Sequence, residues 1–217
     1  MRFKAFEKAI SEINKQSLPG LEAQLKMAPS FRKKLMEQYK EDRKTAKLAA
    51  VLALFYPSNK GDTLLVLILR KSYKGVHSAQ IGFPGGKPEP EDTSLKATAL
   101  RETWEEIGVP SNKITVLREL SSIYIPPSNF QVYPFLGVAH APLTFALQAS
   151  EVDAVLEVSL ADFMNDNSEV VSDVLSAEGL SYEVPAFTLN NHIVWGATAM
   201  MLMEIKTMLN KIFKKIA

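Results

Sequence analysis

The 217-residue chain contains no cysteine. Disulfides, thiol nucleophiles and cysteine-ligated zinc are therefore excluded. No stretch reaches the roughly 18 consecutive apolar residues needed to span a bilayer. Met1-Arg2-Phe3-Lys4 runs into Glu7, Lys8 and Glu12 rather than into an apolar signal core, so the expected location is cytoplasmic. An excess of one charge is lacking too: 25 Lys and Arg stand against 24 Asp and Glu, a net charge of +1. That balance argues against a bulk electrostatic grip on nucleic acid or an anionic membrane. Internal repeats and low-complexity tracts are missing. What is present is ordinary for a soluble globular protein, with 47% apolar and 23% charged residues. The length fits one large domain or one domain with an extra lobe.

Residues 1–17 carry Phe3, Phe6, Ile10 and Ile13 near helical spacing, ended by Pro19-Gly20. A second, polar helix is expected from Pro29 to Lys44, its basic run reading as a solvated face or as a contact for an anionic ligand. Two apolar runs, Ala49–Tyr56 and Leu64–Leu69, flank an Asn/Gly/Asp-rich turn and predict a β-hairpin. Residues 71–92, rich in glycine and proline, read as a long loop of the kind that carries function. A helix is predicted over 94–107, capped by Thr93 or Ser94 and ended by Gly108. Strands are predicted at Ile114–Leu117, Ser121–Ile125, Val132–Ala139 and Val152–Val158, then a short helix near Leu160–Asn165. A late hairpin over Ser181–Phe187 and His192–Val194 precedes a closing helix, Gly196–Phe213, whose methionines read as a core-packing face.

Glu102, Glu105 and Glu106 stand at i, i+3 and i+4 of the predicted central helix and share one face. Like charges at that spacing repel, so the helix gains nothing from them unless something neutralises them. The face is either simply solvated or a seat for a hard dication such as Mg²⁺ or Mn²⁺, which takes oxygen ligands and keeps waters for a phosphate-bearing substrate. Phe83-Pro84-Gly85-Gly86, just upstream, lets backbone approach a metal or phosphate closely and can offer a carbonyl as a further ligand. Arg101 can fork onto a carboxylate and fix its orientation.

These residues resemble the Nudix box. Arg101, Glu102, Glu105, Glu106, Gly108 and Val109 match its pattern, with Thr103 at the usual apolar site. The spacing from Gly86 to Arg101 is one residue longer than usual, and the spaced acid is Asp92. The lengthened box resembles the coenzyme A pyrophosphatase branch, as do Arg70, His77, Gln80 and Phe83-Pro84-Gly85-Gly86 before it and Trp195-Gly196-Ala197-Thr198-Ala199 near the end. Gly75 stands where that branch has arginine, and Ala79 where it has glycine. The likeness covers about residues 47–213. It implies an α/β fold, a Nudix-type α/β/α sandwich with a mixed β-sheet over 47–217; residues 1–46 match no motif and are expected, from their helical spacing, to form a helical extension before it.

The activity implied is metal-dependent hydrolysis of the diphosphate of coenzyme A or acyl-CoA to 4′-phosphopantetheine and adenosine 3′,5′-bisphosphate. Rival readings are another nucleoside diphosphate substrate (ADP-ribose, a nucleotide sugar, a dinucleotide) or a nucleotide-sensing module without turnover. Glu102 and Glu106, with the Gly86 backbone, are the expected ligands of Mg²⁺ or Mn²⁺. Glu105 is a third ligand or the acceptor of the water's proton, and Arg101 orients the acids. Arg70, His77 and Lys87 are expected to bind substrate; Lys71 and Lys74 are further cations for a 3′-phosphate. Glu151 and Asp153 read as a separate base or as ordinary loop acids, and His140 and His192 as structural. The expected partner is a small nucleotide substrate, with no nucleic acid and no membrane; Nudix proteins often pair, so a homodimer is also expected.

Overall fold

The computed structural model describes residues 1–71, 80–175 and 181–216. Two short helices, α1 (Phe3–Ile10) and α2 (Gly20–Gln24), lead to α3 (Arg32–Gln38). The single polar helix expected over Pro29–Lys44 is thus shorter and is followed by a separate 3-10 turn at Asp42–Thr45. The hairpin follows as predicted, with β1 (Lys47–Pro57) antiparallel to β2 (Thr63–Arg70), Phe55 opposite Leu65. Its turn is tied by Ser58 Oγ, which accepts from the backbone of Lys60 and Asp62.

The stretch read as one long loop holds two further strands, β3 (Ile81–Gly82) on β2 and β4 (Gly85–Gly86) on β1. Two-residue strands made largely of glycine leave no hydrophobic pattern to read. Then come α4 (Leu95–Ile107), β5 (Thr115–Glu119), β6 (Ile123–Ile125) and β7 (Phe130–Val138). β7 runs parallel to β1 and carries β5 and β6 on its other side, both antiparallel, which makes the sheet mixed. β8 (Val152–Ser159) closes the far side against β2 and leads into α5 (Leu160–Met164).

A second sheet of three strands holds β9 (Glu169–Leu175), β10 (Ser181–Leu189) and β11 (His192–Trp195). β9 was not anticipated; it is a charged edge strand, with Val171 exposed, and lacks an apolar run. The β10–β11 hairpin turns at Asn190 and Asn191, both at positive φ (48° and 64°), where asparagine is tolerated and the strand twist is matched. The long α6 (Gly196–Ile216) ends the described chain.

β1 explains the layering. Its side chains alternate between faces, and both faces are covered, so it reads as a continuous apolar run. Ala50, Leu52, Leu54 and Tyr56 pack with Ala99 and Ile107 of α4. Ala49, Ala53 and Phe55 join the opposite core, with Met200, Leu202 and Leu209 of α6. The result is an α/β/α sandwich. The methionines of α6 are buried in it, as the core-packing reading expects.

The N-terminal helices belong to that second core through Phe3, Phe6, Ala9, Ile10 and Ile13. They are clipped to α6 by a buried carboxylate: Glu204 accepts from Gly20 N at 3.2 Å, Gln24 Nε2 at 2.9 Å and Ser121 N at 3.3 Å. Among the described residues, no helix is long and apolar enough to cross a membrane.

Candidate active site

α4 is delimited as its sequence predicts. Ser94 Oγ accepts from Ala97 N at 3.2 Å as the N-cap. Gly108, at φ +74°, ends the helix in the left-handed conformation and donates to the Trp104 carbonyl. Between these caps the acidic turn is fixed against β1 by β4. Gly85 sits at φ +150°, and a Cβ there would lie 2.3 Å from the Ala50 carbonyl oxygen. A Cβ on Gly86 would lie 2.4 Å from the nearer Glu102 carboxylate oxygen. Glycine at both positions is what lets this strand slip between β1 and the acids.

Glu106 is the deepest acid, its side chain 1% exposed. It accepts from Gly85 N at 2.8 Å and from Arg70 Nη1 at 3.2 Å. Burial pushes its carboxyl up to about 7, helped by the charges of Glu102 and Glu151 and opposed by Arg70 and the Gly85 N–H. Glu102 is also raised, by burial foremost, with Arg101 pulling the other way. Two acids held near each other in a poorly solvated site are each other's burden.

Arg101 ties the turn together. Its Nε and Nη2 both reach Asp92, at 3.1 and 3.0 Å; Nη2 also donates to the Lys87 carbonyl at 2.8 Å and lies 3.2 Å from Glu102. Nη1 holds Glu105 at 2.8 Å. The guanidinium brings Asp92 down to about 2, chiefly through these hydrogen bonds. Asp92 is therefore an anchor for Arg101, and Ser94 rather than Thr93 is the cap.

The loop after β7 closes over the end of α4. Gln148 N donates to the Glu106 carbonyl at 3.0 Å and Ala146 N to the Ile107 carbonyl at 3.1 Å, satisfying helix-end acceptors. This docking brings Glu151 to the cluster, where its charge bears on both Glu102 and Glu106. Sequence alone left Glu151 level with Asp153; only the docked loop separates them.

Of the expected substrate cations, Arg70 is engaged by Glu106, and Lys71 Nζ donates to the Ala149 carbonyl at 2.6 Å. Lys87 is exposed and lies over the Phe130 ring. His77 and Lys74 lie outside the described residues. His140 bonds Glu7 at 2.5 Å, in keeping with a structural role.

Among the described residues, no group of three or more Asp, Glu or His side chains forms a ready metal site. Glu105 is turned to Arg101 while its charge also bears on Glu102; Glu102 and Glu106 are the two whose carboxyls are raised. The donor set still fits a hard dication: two carboxylates raised toward protonation by burial, and the Gly86 backbone pressed against one of them.

Comparison with known proteins identifies the family. The NUDIX domain family matches residues 46–175, and the chain belongs to that family. A relative from Photorhabdus laumondii subsp. laumondii, the uncharacterized Nudix hydrolase NudL, is 32% identical over 141 residues, 65% of this chain and 74% of its own. Its namesake from Yersinia enterocolitica is 31% identical over 146 residues, 67% of this chain and 74% of its own. A MutT/nudix family protein from Enterococcus faecalis superposes with a TM-score of 0.49 at 19% identity, covering 97% of this chain and 74% of that one. The chain is thus a Nudix hydrolase, of a family that generally uses divalent metals and acts on nucleoside diphosphate derivatives.

Proposed function

We propose that this hydrolase cleaves the diphosphate of coenzyme A or an acyl-CoA, giving 4′-phosphopantetheine and adenosine 3′,5′-bisphosphate. The observation that carries the reading is a set of contacts between stretches far apart in sequence, each resembling the same branch. Arg70 of the upstream stretch grips Glu106 of the box at 3.2 Å. Thr198 Oγ1 of the closing-helix stretch donates to the Ile81 carbonyl at 3.0 Å. Segments that resemble one branch separately also support one another around a single site.

In this reading Glu102, Glu106 and the Gly86 backbone hold Mg²⁺ or Mn²⁺. Such an ion, when bound, neutralises phosphate oxygens and lowers the pKa of a water. Arg70 and the Gly85 N–H hold Glu106 in place, and Arg101, itself anchored by Asp92, orients Glu102 and Glu105. Glu105 is tied to Arg101, whereas Glu151 forms no ion pair among the described residues and its charge bears on both Glu102 and Glu106. Glu151 is the better placed of the two to accept the attacking water's proton.

The test is product analysis of the purified protein with Mg²⁺ and with Mn²⁺, offering coenzyme A, ADP-ribose and a dinucleotide polyphosphate. Formation of 4′-phosphopantetheine and adenosine 3′,5′-bisphosphate, with the highest kcat/KM of the panel, is expected. Preference for ADP-ribose would move the assignment to another substrate, and binding without product would make the chain a sensing module.

A further inference from the structure

The family match begins at residue 46, yet the segment before it brings a cation to the surroundings of the site. Lys87 follows Gly86 directly. Its carbonyl is held by Arg101, and its ammonium lies 5.5 Å from the centroid of the Phe130 ring. Phe130 opens β7 beside Lys47, the first residue of β1. The preceding residue, Asn129, joins these elements: its carbonyl accepts from Lys47 N at 2.9 Å and its side chain from the Tyr124 hydroxyl at 3.0 Å. Over the Tyr124 ring lies the Arg43 guanidinium, 5.7 Å from the centroid.

Arg43, Lys47 and Lys87 are all exposed, and among the described residues none of them forms an ion pair. An aromatic ring supports a cation without neutralising it, so the charge stays available to an anion. The cations closer to the acids are spent: Arg70 on Glu106, Lys71 on a backbone carbonyl, Arg101 on four carboxylates.

We propose that Arg43, Lys47 and Lys87 form a cationic rim that recognises a terminal phosphate monoester of the substrate, apart from the diphosphate that is cleaved. The proposal rests on the coenzyme A reading, in which the adenosine 3′-phosphate is that group. It gives the extension a role in specificity: Arg43 lies outside the family match and supplies one of the three charges.

The probes are coenzyme A and dephospho-coenzyme A, which differ only in the 3′-phosphate. The wild-type protein is expected to favour coenzyme A in kcat/KM. R43A and K87A should each lower that preference about tenfold, the scale of one charge-assisted hydrogen bond, chiefly through KM for coenzyme A. R43K, which keeps the charge, should retain most of it. A wild-type preference near one, or a preference unchanged in both alanine variants, overturns the rim while leaving the coenzyme A reading standing. Equal loss in R43K and R43A also overturns it, because charge would not be the cause. Cleavage of neither probe by the wild type defeats both readings.

Discussion

Replacing Glu106 with glutamine separates the two demands made on that residue, because its carboxylate is costly to the fold and, in the proposed function, needed to hold the metal. Burial takes its carboxyl from 4.5 to about 7. At 1.36 kcal/mol per pH unit, keeping it ionised in the folded, metal-free protein costs about 3 kcal/mol. The side chain is 1% exposed, so solvent screening takes little from that figure.

The sign follows from proton counts. Between pH 4.5 and about 7 the folded state binds more protons here than the unfolded state, so this group's contribution to stability falls as pH rises. For a chain of this length, 3 kcal/mol corresponds to roughly 6–12 °C in Tm. In E106Q that slope disappears. The amide oxygen can still accept from Gly85 N, while the contact to Arg70 loses its charge.

The assay is Tm measured against pH for both proteins in chelator, then with Mn²⁺ added, beside product formation. Near neutral pH, metal-free E106Q should melt at or above the wild type, gain less from Mn²⁺, and turn over at least about 10²-fold more slowly. Parallel Tm profiles, early melting of E106Q in chelator, or an undiminished rate would refute the reasoning.

G86A places a Cβ against the flexible end of Glu102; it should fold, with Tm close to wild type, and lose most of its turnover. G85A instead meets the backbone of β1 at a φ of +150°, so thermal melting should show a marked loss of stability. D92N removes a carboxyl held at about 2. Because that depressed value contributes stability above the ordinary 3.8 and loses it as pH falls toward about 2, acid unfolding of D92N should depend less on pH below 4, and turnover should drop as Arg101 loosens. E204Q sets an amide nitrogen among the three donors that Glu204 now accepts; it should cost about 1–3 kcal/mol in chemical denaturation with turnover near wild type.

The sequence alone determined most of the longer elements and set the three glutamates of α4 on one helical face. Local rules suffice for that: apolar runs on either side of a turn for β1 and β2, Ser94 and Gly108 as helix ends, and helical spacing for the glutamates. Resemblance added the family and its metal chemistry. Tertiary structure decided what each side chain is free to do. β4 is two glycines with no pattern of their own, and its path between β1 and Glu102 exists only once the sheet is built. Arg70 and Glu106 are thirty-six positions apart, so nothing local shows that the cation is already spent on the acid. Glu151 and Asp153 look alike in the chain; a loop docked on the end of α4 brings the charge of Glu151 to bear on Glu102 and Glu106. Periodicity and capping are written in neighbouring residues, whereas burial, charge pairing and pKa depend on groups that folding brings from elsewhere in the chain.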